Sequence, residues 1–340
     1  MLLANDTPFV LERFAVFNKD AAEVLVVLLK ASFDLVDRQT PVVAKEQDPI
    51  NPVDKYSGEP GKSGLIAEGE HIPSKPSSGV TVTGHAVAGE PNQKPMTVGV
   101  RVGEVIQSAL VHGDRQWDRV LGLSRMTSPA PFERIPLTWE NAFGGSDETP
   151  DAQKHWEFHE HNHVGKGFRA KKTNKPLAGT PLPNIEHPDH PVRGPGDRPP
   201  PVGFCPVAPH WQPRAAFTGT YDQQWKENIA PLLPEDFDTR FFQTAPQGLT
   251  FGGYFRGGEP CVLLGMTSTG RFEFTLPTIT PLMRICWKSG AVGVEPRLDT
   301  VHIDMDRKRL HLMWRGAQEV HGRLDTIDRI EATLNRKGGR

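Results

Sequence analysis

Val24-Leu-Val-Val-Leu-Leu-Lys-Ala-Ser-Phe-Asp-Leu35 reads as a strand in two halves. From 24 to 29 every side chain is apolar, the pattern of a central strand covered on both faces. Beyond that, Leu29, Ala31, Phe33 and Leu35 alternate with Lys30, Ser32 and Asp34, the period of two of a half-buried strand. Residues 9–17 carry a second β-type run, and Asn18-Lys-Asp20 between the two is turn chemistry, so an antiparallel pair is predicted here.

The same pattern recurs on both sides of a Pro- and Gly-rich middle. Residues 80–87 are β-type, and Val98, Val100 and Val102 followed by 105–111 predict a hairpin turning at Gly103-Glu104. After residue 249, Phe272, Phe274 and Leu276 form one buried face and Met283, Ile285 and Trp287 another. Val301, Ile303 and Met305 lead through Asp306-Arg-Lys308 into Leu310, Leu312 and Trp314, a hairpin with one face of each arm inside. Residues 43–78 read as a surface loop and 114–119 as an exit loop carrying Trp117, while 324–334 suits either a helical turn or a strand. With 32 Pro and 33 Gly, long uninterrupted helices are not expected. The fold class is mainly β: antiparallel sheets, sandwich-like or an open barrel, with a long Pro/Gly-rich ordered loop insertion and little helix. Its units are an N-terminal β unit at 1–127, the insertion at 128–246 and a C-terminal β unit at 247–340. Each β unit alone leaves edges to cover, so the two are expected to pack as one structure beneath the insertion.

Thirty-nine basic and 41 acidic residues leave a formal net charge of -2, which draws the chain neither to nucleic acid nor to an anionic membrane. The three cysteines, Cys205, Cys261 and Cys286, lack metal-type spacing and suit a reducing cytoplasm. No signal-peptide pattern opens the sequence and no apolar run approaches the ~20 residues that span a bilayer, so neither export nor membrane insertion is expected.

The middle segment carries the candidate chemistry. His155, His159, His161 and His163 have spacing that could hold zinc or nickel, against the plainer reading of a solvated histidine-rich loop. Gly165-Lys-Gly167 lacks Walker spacing and reads as a turn in which both glycines take angles closed to other residues and Lys166 points to water or a carboxylate. Cys205, with His210 nearby, reads as a buried inert thiol rather than a nucleophile. Glu235, Asp236 and Asp238 read as a helix N-terminus at Pro234 rather than an acid–base pair. Trp139, Trp211, Tyr221, Trp225, Phe237, Phe241 and Phe242 pin irregular loops, with a minority left for recognition. Glu140, Asn141, Asn184, Glu186 and Arg214 are expected to satisfy loop backbone groups that have no ladder partners.

These phrases also resemble a known family. Leu137-Thr-Trp-Glu-Asn-Ala-Phe-Gly-Gly145, Gly165-Lys-Gly-Phe168, Leu182-Pro-Asn-Ile-Glu186, Gly203-Phe-Cys-Pro206 with Trp211-Gln-Pro-Arg214, Gly219-Thr-Tyr-Asp222 with Trp225, and Asp236-Phe-Asp-Thr-Arg-Phe-Phe-Gln-Thr-Ala-Pro246 are similar to the bacterial domain-of-unknown-function 2169 family encoded beside type VI secretion genes. One departure is His163, where the family phrase usually carries Pro. The resemblance implies a cytoplasmic adaptor or chaperone that loads a secreted effector or a spike protein, PAAR-type tips included, with no cofactor and no catalytic residues. The interaction or scaffold positions it implies are Trp139, Glu140, Asn141, Phe143, Gly144, Gly145, Gly165, Lys166, Gly167, Phe168, Asn184, Glu186, Trp211, Arg214, Tyr221, Asp222, Trp225, Asp236, Arg240, Phe241 and Gln243. Two readings from other classes stand beside it: a metal-dependent hydrolase or modifying enzyme built on His155–His163, and a carbohydrate-binding module with Trp211 and Trp225 exposed in one plane.

Overall fold

Glu23–Asp34 forms the predicted central strand. It pairs antiparallel with Val10–Phe17 on one side and with Arg309–Glu319 on the other, and the sheet continues through Arg297–Asp304 to Gly79–Thr83, the last pairing being parallel. The computed structural model describes residues 1–92, 94–149 and 151–335, so the ends of the three sequence units at 1–127, 128–246 and 247–340 are covered except for 336–340. A second sheet runs Ile185–Glu186, Val105–Val111, Met96–Val102, Pro260–Leu264, Arg271–Thr275, and a third runs Leu2–Asn5, Ile327–Leu334, Pro281–Trp287, Gly290–Val294. Among the described residues no sheet closes into a barrel, and Gln223–Asn228 is the one α-helix. No described helix is long and apolar enough to cross a membrane.

N- and C-terminal strands interleave in both larger sheets, and one apolar cluster contains Leu29, Val100, Trp139, Phe204, Trp211, Leu263 and Trp314, drawing on all three stretches of sequence. The predicted hairpins form: Val102 pairs with Val105 across Gly103, and Asp304 pairs with Arg309. Residues 324–334 resolve into a short 3-10 turn at Leu324–Thr326 and the strand Ile327–Leu334. Two loop expectations need correction. Trp117–Val120 is a strand paired with Leu123–Met126, and its Trp117 packs with Phe143, Leu182 and Val192. The segment 43–78 does not merely cross the surface, because Ile50, Leu65, Glu68, Glu70, Lys75 and Ser78 are all buried.

The reason lies in the main sheet's two faces. Phe33, Leu310, Ile303 and Val82 stand in one cross-strand row, with Ala31, Leu312, Val301 and Val80 in the next, and all point into the apolar core. The opposite face carries Ser32, His311, His302 and Thr81 in one row and Lys30, Met313, Thr300 and Gly79 in the next. This polar face is covered by 43–78. Lys30 is only 4 % exposed and Ser32 fully buried, so the alternation predicts the two faces correctly but not that the polar one is inside. Three cations meet three anions there: Lys30–Glu70 at 2.8 Å, Lys75–Glu68 at 2.6 Å and Arg315–Asp299 at 2.7 Å. Lys75 also donates to Thr300 Oγ1 at 2.9 Å, and Arg315 Nη1 donates to the carbonyls of Glu70 and Ile72, both at 2.7 Å. A buried charge is tolerable only when paired and hydrogen-bonded; each of these six charges is paired, and Arg315 Nη2 is the one guanidinium nitrogen of the network without a hydrogen-bond partner among the described residues.

Candidate functional site

The insertion begins with the strand Phe132–Pro136, antiparallel to His85–Asn92, and continues through a 3-10 turn at Trp139–Asn141 to Phe143–Gly144, which pairs in parallel with Lys166–Gly167. Asn162, fully buried, joins the two arms: its Nδ2 donates to the Trp139 carbonyl at 2.8 Å and the Phe143 carbonyl at 3.0 Å, and its own carbonyl accepts from Gly145 N at 2.8 Å. Nothing in the sequence pattern marks it. Lys166 pairs with no carboxylate among the described residues; its Nζ donates to the side-chain oxygens of Asn141 at 2.9 Å and Asn184 at 2.7 Å. Of the two flanking glycines only Gly167 has a positive φ, +91°, whereas Gly165 is required by close approach of backbone. Asn184 Nδ2 then reaches the His112 carbonyl and Asp114, and the buried Glu186 carboxylate meets Arg115 at 3.0 Å and His112 at 3.2 Å. Phe168 is buried beneath the Arg198 guanidinium, 4.8 Å from its ring centre.

The second half of the insertion is held the same way. Trp139 Nε1 donates to the Pro206 carbonyl at 2.8 Å, and its ring meets Trp211 edge-to-face at 5.8 Å. Glu140 accepts from Gly64 N at 2.6 Å and from the Ser57 hydroxyl, tying the insertion to 43–78. Arg214, buried, donates to the carbonyls of Phe241 at 2.8 Å and Val207 at 2.6 Å. Asp222 caps the helix Gln223–Asn228 by accepting from Trp225 N at 2.8 Å, and Tyr221 meets Trp225 edge-to-face at 4.7 Å. No helix begins at Pro234: Asp236 instead accepts from Thr220 N and Oγ1, and the 3-10 turn Thr239–Phe242 is capped by Asp238. Arg240 pairs with Asp238 and lies 4.2 Å above the Phe217 ring, while Gln243 Nε2 donates to the Ser77 carbonyl at 2.9 Å. Trp211 is fully buried, which removes it as a stacking platform for a sugar. Cys205 is buried too, and burial pushes its thiol up to about 12, which disfavours the thiolate form that a nucleophile uses.

The four histidines separate. His155 ends the turn Gln153–His155 with Nε2 3.4 Å from Lys172 Nζ, and it contacts no other imidazole among the described residues. His159 lies between Phe143 and Phe168, 5.9 Å from His161, and burial and the neighbouring His161 lower its pKa to about 4. His163 turns instead toward Phe158, Trp211 and His210, and burial lowers it to about 4 as well. Among the described residues no three His, Cys, Asp or Glu side chains are arranged to hold a metal ion. His159 and His161 do share a cleft of about 790 Å³ with His187, Arg198, Trp139, Gln212, Gln247 and the prolines 188, 200, 201, 213 and 246. It is open to solvent, and several of its lining residues are held by the hydrogen bonds above.

A family model described as "Uncharacterized protein conserved in bacteria (DUF2169)" matches residues 20–315. The chain belongs to this bacterial family. No curated protein and no solved structure matches it. The DUF2169 match runs from the central strand through the whole insertion to Arg315, so it includes both the cleft and the buried ion network.

A second DUF2169 cavity, about 510 Å³, opens over the polar sheet face between 43–78 and the insertion, lined by Asp48, Thr81, His302, His311, Pro136 and Pro206 among others. His302 and His311 stack at 5.6 Å; His302 Nδ1 lies 2.9 Å from Thr81 Oγ1 and His311 Nε2 lies 2.7 Å from Asp48 Oδ2. Burial pushes the two imidazoles down, to about 4 and about 3. Burial pushes Asp48 up, but hydrogen bonds from Arg307 and His311 outweigh it and hold it at about 2. The signs follow. Between pH ~6.5 and ~4 the unfolded chain binds a proton at each histidine that the folded chain does not, so stability falls with pH there by about 1.4 kcal/mol per unit per group. The Asp48 contribution is complete above its unfolded value and is lost only as pH falls toward 2. We therefore expect the melting temperature to drop between pH 7.5 and 5, and His302→Gln/His311→Gln to shrink that drop; equal slopes for the two proteins would refute the assignment.

Proposed function

We propose that this DUF2169 chain is a non-enzymatic adaptor of the bacterial type VI secretion machinery, working in the cytoplasm to hold a secreted effector or a spike component through its 136–246 surface. One observation carries the reading. Many polar side chains of the insertion bond to its own backbone, to one another and to 43–78 and 112–115, and they frame an open cleft. A loop already ordered before binding loses little conformational entropy on capturing a partner, which is how a scaffold without regular secondary structure reaches useful affinity. The cleft is of mixed character: prolines, Trp139 and Val202 give it apolar walls, and His159, His161, His187, Glu160, Asp189, Arg198 and the glutamines give it directional polar groups.

Co-expression with the product of the neighbouring effector or spike gene tests this. The expected outcome is a complex that survives gel filtration, with effector levels falling in cells that lack the adaptor. Effector that accumulates and is secreted normally without it would sink the proposal.

A further inference from the structure

The hairpin Trp117–Val120 and Leu123–Met126 ends in a two-residue turn, Leu121-Gly122, in which both residues have positive φ, +50° and +85°. Such a turn favours Asn-Gly, because an L residue with a branched apolar side chain is strained in the left-handed region. Here the strained position holds leucine, and that leucine is 99 % exposed. Its neighbours continue the patch: Leu123 is 74 % exposed and Val120 41 %, and the two face each other across the hairpin. Single exposed leucines are ordinary, but three apolar side chains at one tip, one in a conformation that polar residues adopt more cheaply, serve neither folding nor solubility. The base of the hairpin is anchored, since Trp117 and Met126 pack with Phe143, Leu182 and Val192 inside the insertion.

Charge specifies the complement. Arg119 and Arg125 are exposed beside the tip, and neither has an ion-pair partner among the described residues; the one acid on the hairpin, Asp118, accepts from the Arg119 backbone N at 2.7 Å and stands opposite Arg125. A convex apolar knob flanked by two unpaired guanidinium groups fits a concave apolar pocket with an acidic rim.

We infer that the 117–126 hairpin is a docking knob whose apolar tip inserts into an acid-rimmed apolar pocket on the adaptor's protein cargo. This rests on the adaptor reading and adds a second contact to the cleft. A protein pocket is favoured over a lipid surface because the apolar tip is only three side chains wide and the chain's net charge is -2.

The test uses the full chain and the neighbouring effector or spike protein. Leu121→Asn/Leu123→Thr keeps residues suited to the turn and the strand, so the variant is expected to melt at or above the wild-type temperature, yet to bind its cargo more weakly by about tenfold or more. Wild-type complex with undiminished binding by the variant overturns the knob and leaves the adaptor reading intact. No complex from wild type overturns both. Salt-sensitive sedimentation of wild type, but not variant, with phosphatidylglycerol–phosphatidylethanolamine vesicles reassigns the tip to membranes and overturns a protein pocket.

Discussion

Lys75→Met is expected to lower the unfolding free energy by about 3–5 kcal/mol, because it strips the cation from a buried carboxylate that cannot rehydrate. Lys75 and Glu68 side chains are 1 % and 7 % exposed and lie 2.6 Å apart. Lys75 holds both Glu68 oxygens, at 2.6 and 2.7 Å, while the Thr244 hydroxyl from the insertion donates to one of them. The lost cation would leave Glu68 desolvated, with the Thr244 and Thr300 hydroxyls and the more distant charge of Arg315 as its remaining support. The double variant Glu68→Gln/Lys75→Met removes both charges and is expected to recover most of the loss, since a carboxamide still bonds to Thr244 and Thr300. Denaturant unfolding of the two variants decides the matter. If the double variant is no more stable than the single, packing of the lysine stem rather than charge pairing explains the site.

Gly165→Ala is expected to cost about 3 kcal/mol and to loosen the insertion without touching the sheets. A Cβ at this position would lie 2.5 Å from the Ala142 carbonyl oxygen, 2.5 Å from Asn162 Nδ2 and 2.7 Å from Gly144 N. Two of these atoms are backbone, and the third belongs to the buried asparagine that ties the arms together, so none can yield cheaply. The displaced arm carries Lys166, whose bonds to Asn141 and Asn184 would open in turn. Gly179→Ala is the control: its φ is +82° but nothing lies within 4 Å of the added methyl, so only backbone strain of about 1–2 kcal/mol is expected. Limited proteolysis across 140–186 together with melting temperature distinguishes the two. Equal losses would mean that strain in the glycine backbone, and not close approach of the two arms, governs this loop.

Much of the fold is legible because its signals are local. Alternation at 29–35 and 301–314 specifies which side chains share a face, and Gly103 and Asp306–Lys308 mark hairpins from turn chemistry alone. The phrases of the insertion are equally readable as a group, and they point to the family whose match covers 20–315. Individual roles within it are less legible. Lys166 looks like a solvent-facing or carboxylate-paired lysine, yet it serves two carboxamides, one 18 residues away and one 25. The four histidines look like one cluster and divide between Lys172, the cleft and the Trp211 edge. Asn162 sits unnoticed between two of them.

The sequence by itself determined the strands, the hairpins, the two-faced character of the central sheet and the presence of a long side-chain-held insertion, since each depends on residues a few positions apart. Only the tertiary structure decided that the polar face of that sheet is buried, which groups neutralise Lys30, Lys75 and Arg315, and which of the insertion's polar residues face each other. The physical reason is that period-two patterning reports the polarity of a face but not what covers it. The cover, 43–78, carries its own charges, Glu68, Glu70 and Lys75, and these read as solvated until they meet partners such as Lys30, 40 residues from Glu70, and Thr300, 225 residues from Lys75.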